Sequence, residues 1–225
     1  AERIAEHRAI PEGERPDDLL TLLIESDVDG EPIEDMHLLG SCFLLLVAGI
    51  DTTWNSIGSG LWHLATHPED QRRLRDEPEL MDTAVEEILR MYSPVTMARY
   101  VTEDVEFNGC PMKEGDKVLM AFPAGNRDPE HFERADEFII DRTRNRHFAF
   151  GSGIHRCLGS NLARMELKVA IQTFLDRVPT FAVEDPARVT WVGGQVRGPR
   201  TVPIVFDATS QPRCSADPTR LSPEG

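Results

Sequence analysis

The sequence is poor in cysteine and has no two cysteines close together. Its four, Cys42, Cys110, Cys157 and Cys214, never reach a C-x-x-C spacing in 225 residues. A disulfide framework or a zinc ribbon needs paired cysteines, so neither is expected, and a reducing, cytoplasmic setting fits best. Positive charge is also short: 24 Lys and Arg stand against 39 Asp and Glu, a net charge of −15. Such a chain repels phosphate backbones, which disfavours nucleic acid as a partner. No uninterrupted apolar run reaches the ~20 residues of a membrane span. The longest, residues 38–50, contains Gly40, Ser41 and Gly49 and stops at Asp51-Thr52-Thr53. It reads as a buried helix. Residues 1–10 are charged and helical in character, unlike a signal peptide. No internal repeat is present.

What is present is an ordinary globular composition, 40% apolar and 28% charged. As a prior, this length holds one large domain or two small ones. Residues 1–25 read as helix, a charged loop around Pro11 to Pro16, and helix again, followed by a turn at Asp27 to Gly30. A long helical pattern runs from about Asp35 to Thr66 and stops before His67-Pro68. It is apolar on most sides in its first half, so it should run through the middle of a large core. Pro68 opens a short helix, and Pro78 opens another through about Tyr92, ended by Pro94. Residues 97–122 read as short strands with turns at Asn108-Gly109 and Glu114-Gly115. A helix is expected from about Leu158 to Arg177, then strand and turn to Phe206, then a tail or linker over residues 207–225. The fold class is mainly α with small β-sheets.

Residues 148–159, FAFGSGIHRCLG, carry the most chemistry. Gly151, Gly153 and Gly159 permit tight turns and the close approach of a flat ligand. Cys157 is placed at the N-terminus of the following helix, where the dipole and the unpaired backbone N–H groups favour a thiolate. One thiolate on a rigid glycine loop is what an axial ligand to haem iron requires. The order Phe150, Gly153, His155, Cys157, Gly159 resembles the haem-binding signature of the cytochrome P450 family. Two further motifs strengthen the likeness. Glu87-Ile88-Leu89-Arg90, which alone would pass for a surface ion pair, matches the family's ExxR motif. Residues 48–53, AGIDTT, put Gly, Asp and Thr at the centre of an apolar helix, where they compete with the backbone ladder. That local conflict suits a functional site, and it matches the family's oxygen-binding groove, a locally opened helix turn over the iron.

The resemblance covers residues 1–206 and implies the family's fold, incomplete at the N-terminus: the C-terminal half of one catalytic domain. It implies haem b, with Cys157 as the metal ligand and Phe150, Gly151, Gly153, Gly159 and Ala48 around it. It implies that Arg99 and His155 pair with the haem propionates. Glu87, Arg90 and a third arginine would lock the core; Arg142, Arg144 or Arg146 could be that third member, and Arg142 suits the spacing best. In catalysis, Thr52 would hydrogen-bond the oxygen and steady the proton-delivering water, and Asp51 would relay protons. Substrate contacts would fall at Ala48, Val95, Thr96, Met97 and Val192. The implied reaction inserts one atom of O2 into a small or medium hydrophobic substrate. Electrons would come from NAD(P)H through a ferredoxin or a fused FMN and 2Fe–2S reductase, and residues 48–74 look closest to members with the fused form. Rival readings are a haem-binding but inactive fragment and a non-oxygenating enzyme of the same fold. If the remainder of the domain is absent, much of the central helix should be exposed.

Overall fold

Hydrogen bonds rather than a large core organise the first segment. A computed structural model describes residues 1–206; the tail expected over residues 207–225, with Cys214, lies outside the described residues. Helices α1 (Glu2–Ala9) and α2 (Leu19–Ile24) are linked by the proline-bounded loop. Asp18 caps α2. One carboxylate oxygen takes the buried His7 ring at 3.0 Å, and the other accepts the Thr21 N–H at 2.8 Å. These bonds, the His7 one first, hold the Asp18 carboxyl down at about 2. A hairpin of β1 (Asp27–Val28) and β2 (Glu31–Pro32) turns through Asp29 and Gly30, with φ of 56° and 82°. The chain divides into two compact units, Ala1–Asp51 and Thr52 onward.

The boundary falls inside α3 (Asp35–Thr66), a helix of 32 residues whose ends match the sequence pattern. Its first half departs from the expectation of a helix running through a core. Phe43 is 66% and Met36 76% exposed, and Leu44, Leu46, Val47 and Ile50 are exposed with them. The helix is long and apolar enough to cross a membrane by length and composition, which the 13-residue run alone did not suggest. The core helix of a soluble protein has the same composition. The opened turn expected at residues 48–53 is not seen, because α3 is helical throughout. Just beyond it, the Ser56 and Ser59 hydroxyls donate back to the carbonyls of Thr52 and Asn55 at 2.8 and 2.7 Å, which satisfies both hydroxyls within the helix.

In the second unit, Pro68 starts α4 (Pro68–Asp76). Pro78 starts only a 3₁₀ turn, so α5 (Met81–Tyr92) begins three residues later than expected. Strands β3 (Met97–Tyr100) and β6 (Lys117–Met120) pair antiparallel around the hairpin β4 (Val105–Phe107) and β5 (Cys110–Met112). Asn108 and Gly109 turn that hairpin with φ of 49° and 77°. After a one-turn helix α6 (Phe122–Gly125) comes a long irregular stretch, then α7 (Ser160–Arg177). The remaining strands form two antiparallel pairs, β7 (Phe181–Val183) with β10 (Ile204–Phe206) and β8 (Thr190–Val192) with β9 (Gly198–Thr201).

The core lies between α5, α7 and the last turns of α3. Val85, Ile88 and Leu89 meet Leu167, Ile171 and Leu175, with Leu64 and Phe181 closing the ends. Gly60 lets α3 approach closely, since a Cβ there would stand 3.0 Å from Ile88 and 3.1 Å from Ile171. At the end of α3, His63 is fully buried. Its Nδ1 accepts from the Tyr92 hydroxyl at 2.6 Å, and its Nε2–H donates to Asp70 at 2.9 Å. Burial pushes its pKa below 6.5, and the Asp70 bond only partly offsets this. A histidine lowered in the folded state takes up a proton more readily once unfolded. Its contribution is therefore complete above the unfolded value and is lost as pH falls through it toward the folded value. Denaturant midpoints should drop as pH falls below about 6.5, and His63→Gln should flatten that limb.

Candidate functional site

The site is built outward from α5, whose amphipathic pattern buries one face. Glu87 and Arg90 share that face at i and i+3 and both side chains are 0% exposed. A carboxylate at that depth needs its lone pairs filled. Arg90 donates through Nε and Nη2 at 2.8 Å each, a bidentate fork. Arg142 Nε reaches the carboxylate at 3.0 Å, Asn145 Nδ2 at 3.0 Å and the Ile139 N–H at 2.8 Å. Arg90 then donates to the carbonyls of Asn126, Ala135 and Glu137 at 2.7–2.8 Å. Arg142 adds the Glu133 carbonyl at 2.7 Å. The two arginines thereby pin the irregular stretch before the cysteine loop. The structure brings Glu87, Arg90 and Arg142 together; Arg144 and Arg146 stay exposed.

The cysteine loop follows. Gly151 and Gly153 have φ of 68° and 65°, conformations that L side chains rarely adopt. Gly159 has an ordinary φ of −82°, so its value lies in the open space before it, where a Cβ would meet nothing within 4 Å. Gly153 through His155 form a 3₁₀ turn, and the Cys157 N–H donates to the Phe150 carbonyl at 2.9 Å. Helix α7 starts at Ser160, not Leu158, so Cys157 stands just before the helix cap, Gly159. Its carbonyl accepts the Ser160 N–H at 3.4 Å.

Cys157 is exposed, and so are its apolar neighbours. Ile154 is 97% and Leu158 85% exposed, with Phe148, Leu162 and Met165 also open. Among the described residues no group of three His, Cys, Asp or Glu is placed to hold a metal. An iron at Cys157 would therefore take its other ligands from a macrocycle. A lone soft donor, glycines without bulk and a rim of uncovered apolar side chains fit haem. Phe150 is half-buried on the core beneath the loop.

The other predicted residues lie as follows. Arg99 sits on β3 opposite Val118, with Nη1 donating to the Ala98 carbonyl at 2.9 Å. His155 is exposed at the end of the 3₁₀ turn. Ala48 and Asp51 are exposed on α3, and Thr52, half-buried, is one turn beyond Ala48. Val95, Thr96 and Met97 run alongside residues 194–196. Val95 bridges Val196, Thr96 bonds Gln195 and Gly194 at 2.9 and 3.0 Å, and the Gln195 amide lies 3.6 Å from the Met97 sulfur. Val192 is half-buried at the end of β8.

Sequence reasoning missed several residues. Asn126 is fully buried, donates to Ser93 and accepts the Phe148 N–H at 2.6 Å. It links α5 to the start of the cysteine loop. Its place in Asn126-Arg127-Asp128-Pro129 marked a loop but not a buried amide. Glu86, His147 and Arg164 form a second cluster, signalled only by the doublet Glu86-Glu87.

Comparison with known proteins agrees with this geometry. The family model described as Cytochrome P450 matches residues 1–188. The polyketide biosynthesis cytochrome P450 PksS of Bacillus subtilis is 38% identical over 192 residues, 84% of this chain and 47% of that protein. The mycinamicin IV hydroxylase/epoxidase of Micromonospora griseorubida is 38% identical over 199 residues, 86% of this chain and 50% of that one. The solved structure of PksS superposes with a TM-score of 0.84 at 37% identity, covering 91% of this chain and 53% of that chain. The chain belongs to the cytochrome P450 family and has its fold. It spans about half the length of the curated relatives it matches.

Breaking the buried pair should be costly. Arg90→Leu leaves Glu87 charged with its fork removed, and we expect a loss of about 3–5 kcal/mol in chemical denaturation. Arg144→Leu, at an exposed position, should move the midpoint little.

Proposed function

We propose that this chain is the C-terminal part of a haem-thiolate monooxygenase domain, spanning residues 1–206 and followed by a linker, which inserts one atom of O2 into a hydrophobic organic substrate. The observation that carries the reading is Cys157, an exposed thiol on a glycine loop amid uncovered apolar side chains. The reaction class is supported by the hydroxylase/epoxidase relative.

When bound, haem supplies O2 activation with two electrons and two protons. Cys157 would hold the iron through its sulfur and donate electron density to it. Phe150, Gly151, Gly153 and Gly159 shape the loop so that nothing bulky stands between the sulfur and a flat ring. Arg99 and His155 would hold the propionates through charge-assisted hydrogen bonds. Asp51 takes up protons from solvent, and the Thr52 hydroxyl orients the water that passes them on. By the resemblance, Ala48, Val95, Thr96, Met97 and Val192 would contact substrate, and their mostly apolar character suits a small or medium hydrophobic molecule. Electrons arrive from NAD(P)H through a ferredoxin or a fused FMN and 2Fe–2S reductase; the look of residues 48–74 favours the fused form. The bacterial relatives and the free thiols Cys42, Cys110 and Cys157 support a cytoplasmic setting.

Reduced protein exposed to CO should absorb near about 450 nm, the mark of thiolate ligation. Cys157→Ala should abolish that band, and its persistence would remove Cys157 as the ligand. Thr52→Ala should retain the band while product formed per electron pair falls by roughly tenfold. An unchanged yield would remove the proton-delivery role.

A further inference from the structure

Glu86 stands beside Glu87 on α5 but serves a different part of the molecule. Arg164 on α7 donates to both of its oxygens, Nε to Oε1 and Nη2 to Oε2, the latter at 3.0 Å. The His147 ring Nε2 meets Oε2 at 3.0 Å. His147 Nδ1 accepts the Ala149 N–H at 3.2 Å, which leaves Nε2 as the donor to Glu86. The Arg164 guanidinium also lies over the Phe150 ring, 4.6 Å from its centre. The Phe150 carbonyl in turn holds the Cys157 N–H at 2.9 Å. One carboxylate therefore ties down the start of the cysteine loop through His147, its middle through Arg164 and Phe150, and the helix that leaves it through Arg164 itself. Its own carboxyl is pushed up by burial, yet the His147 and Arg164 bonds outweigh this and hold it at about 2.

We propose that Glu86, Arg164 and His147 are positioning residues for Cys157: they clamp Phe150, and through its carbonyl they set where the cysteine backbone stands. The proposal rests on the reading of Cys157 as the haem ligand. A built-in control separates it from plain helix docking. Lys168 and Asp82 join the same two helices by a surface pair at 2.7 Å; the loop takes no part in that bond.

Two readouts on the haem-loaded protein test it: hydrogen exchange at the Cys157 amide, and the band near about 450 nm of the reduced CO complex. Arg164→Leu should speed exchange at that amide by roughly tenfold and move part of the band to shorter wavelength. Arg164→Lys, which keeps the charge but neither the fork nor the planar contact with Phe150, should recover only part of both. Glu86→Gln keeps the side-chain shape and should shift both readouts in the same direction, so the test survives if Arg164→Leu does not fold. Lys168→Met should leave both at wild-type values. Equal effects from Lys168→Met and Arg164→Leu would overturn the clamp, as would unchanged exchange in both Arg164→Leu and Glu86→Gln. A wild-type protein without the band would remove the ligation reading instead, and the exchange comparison then decides the clamp alone.

Discussion

A charged carboxylate with no access to water must be met by donors from the protein, and Glu87 is such a group. Its oxygens are filled by Arg90, Arg142, Asn145 and the Ile139 amide. Three of those four come from a stretch with little regular structure of its own. That stretch cannot rely on a backbone ladder, so its carbonyls are gathered by Arg90 and Arg142. The path of the chain from α6 to the cysteine loop thus follows from one buried charge on α5.

The neighbouring Glu86 extends the same logic by one residue. Consecutive positions on a helix point about 100° apart, so one carboxylate enters the core and the next meets α7 at its edge. The first organises the approach to the loop; the second reaches the loop itself. Asn126 joins the two systems, its carbonyl accepting from Arg90 and its side-chain oxygen from the Phe148 N–H. Such coupling fixes the backbone of the cysteine loop from two sides, through Phe148 and through Phe150.

Exposure is distributed with equal meaning. The loop holds its polar backbone against the protein and turns Ile154 and Leu158 outward. The first half of α3 is likewise apolar and open. Isolated surface leucines are common, but contiguous patches of this kind mark surfaces built to be covered. On the loop, the uncovered apolar side chains are of the kind that a flat apolar cofactor would cover.

Element positions were readable in the residues, because prolines, glycines and helical periodicity act over a few neighbours. The ends of α3 and the Asn108-Gly109 turn were found this way, and Pro78 misled only by one 3₁₀ turn. The turns around Cys157 were readable because glycines at fixed offsets act over a few neighbours. Burial and long-range pairing were not. Nothing near Glu86 announces an arginine on α7, since their meeting depends on the angle at which two helices pack. Nothing near residues 48–53 announced that the helix would stay closed there, since the residue types that compete with a helical ladder do not always break it. Local chemistry selects the elements and the reactive residue. Packing decides which charges are buried, which partners meet them, and which apolar faces remain open.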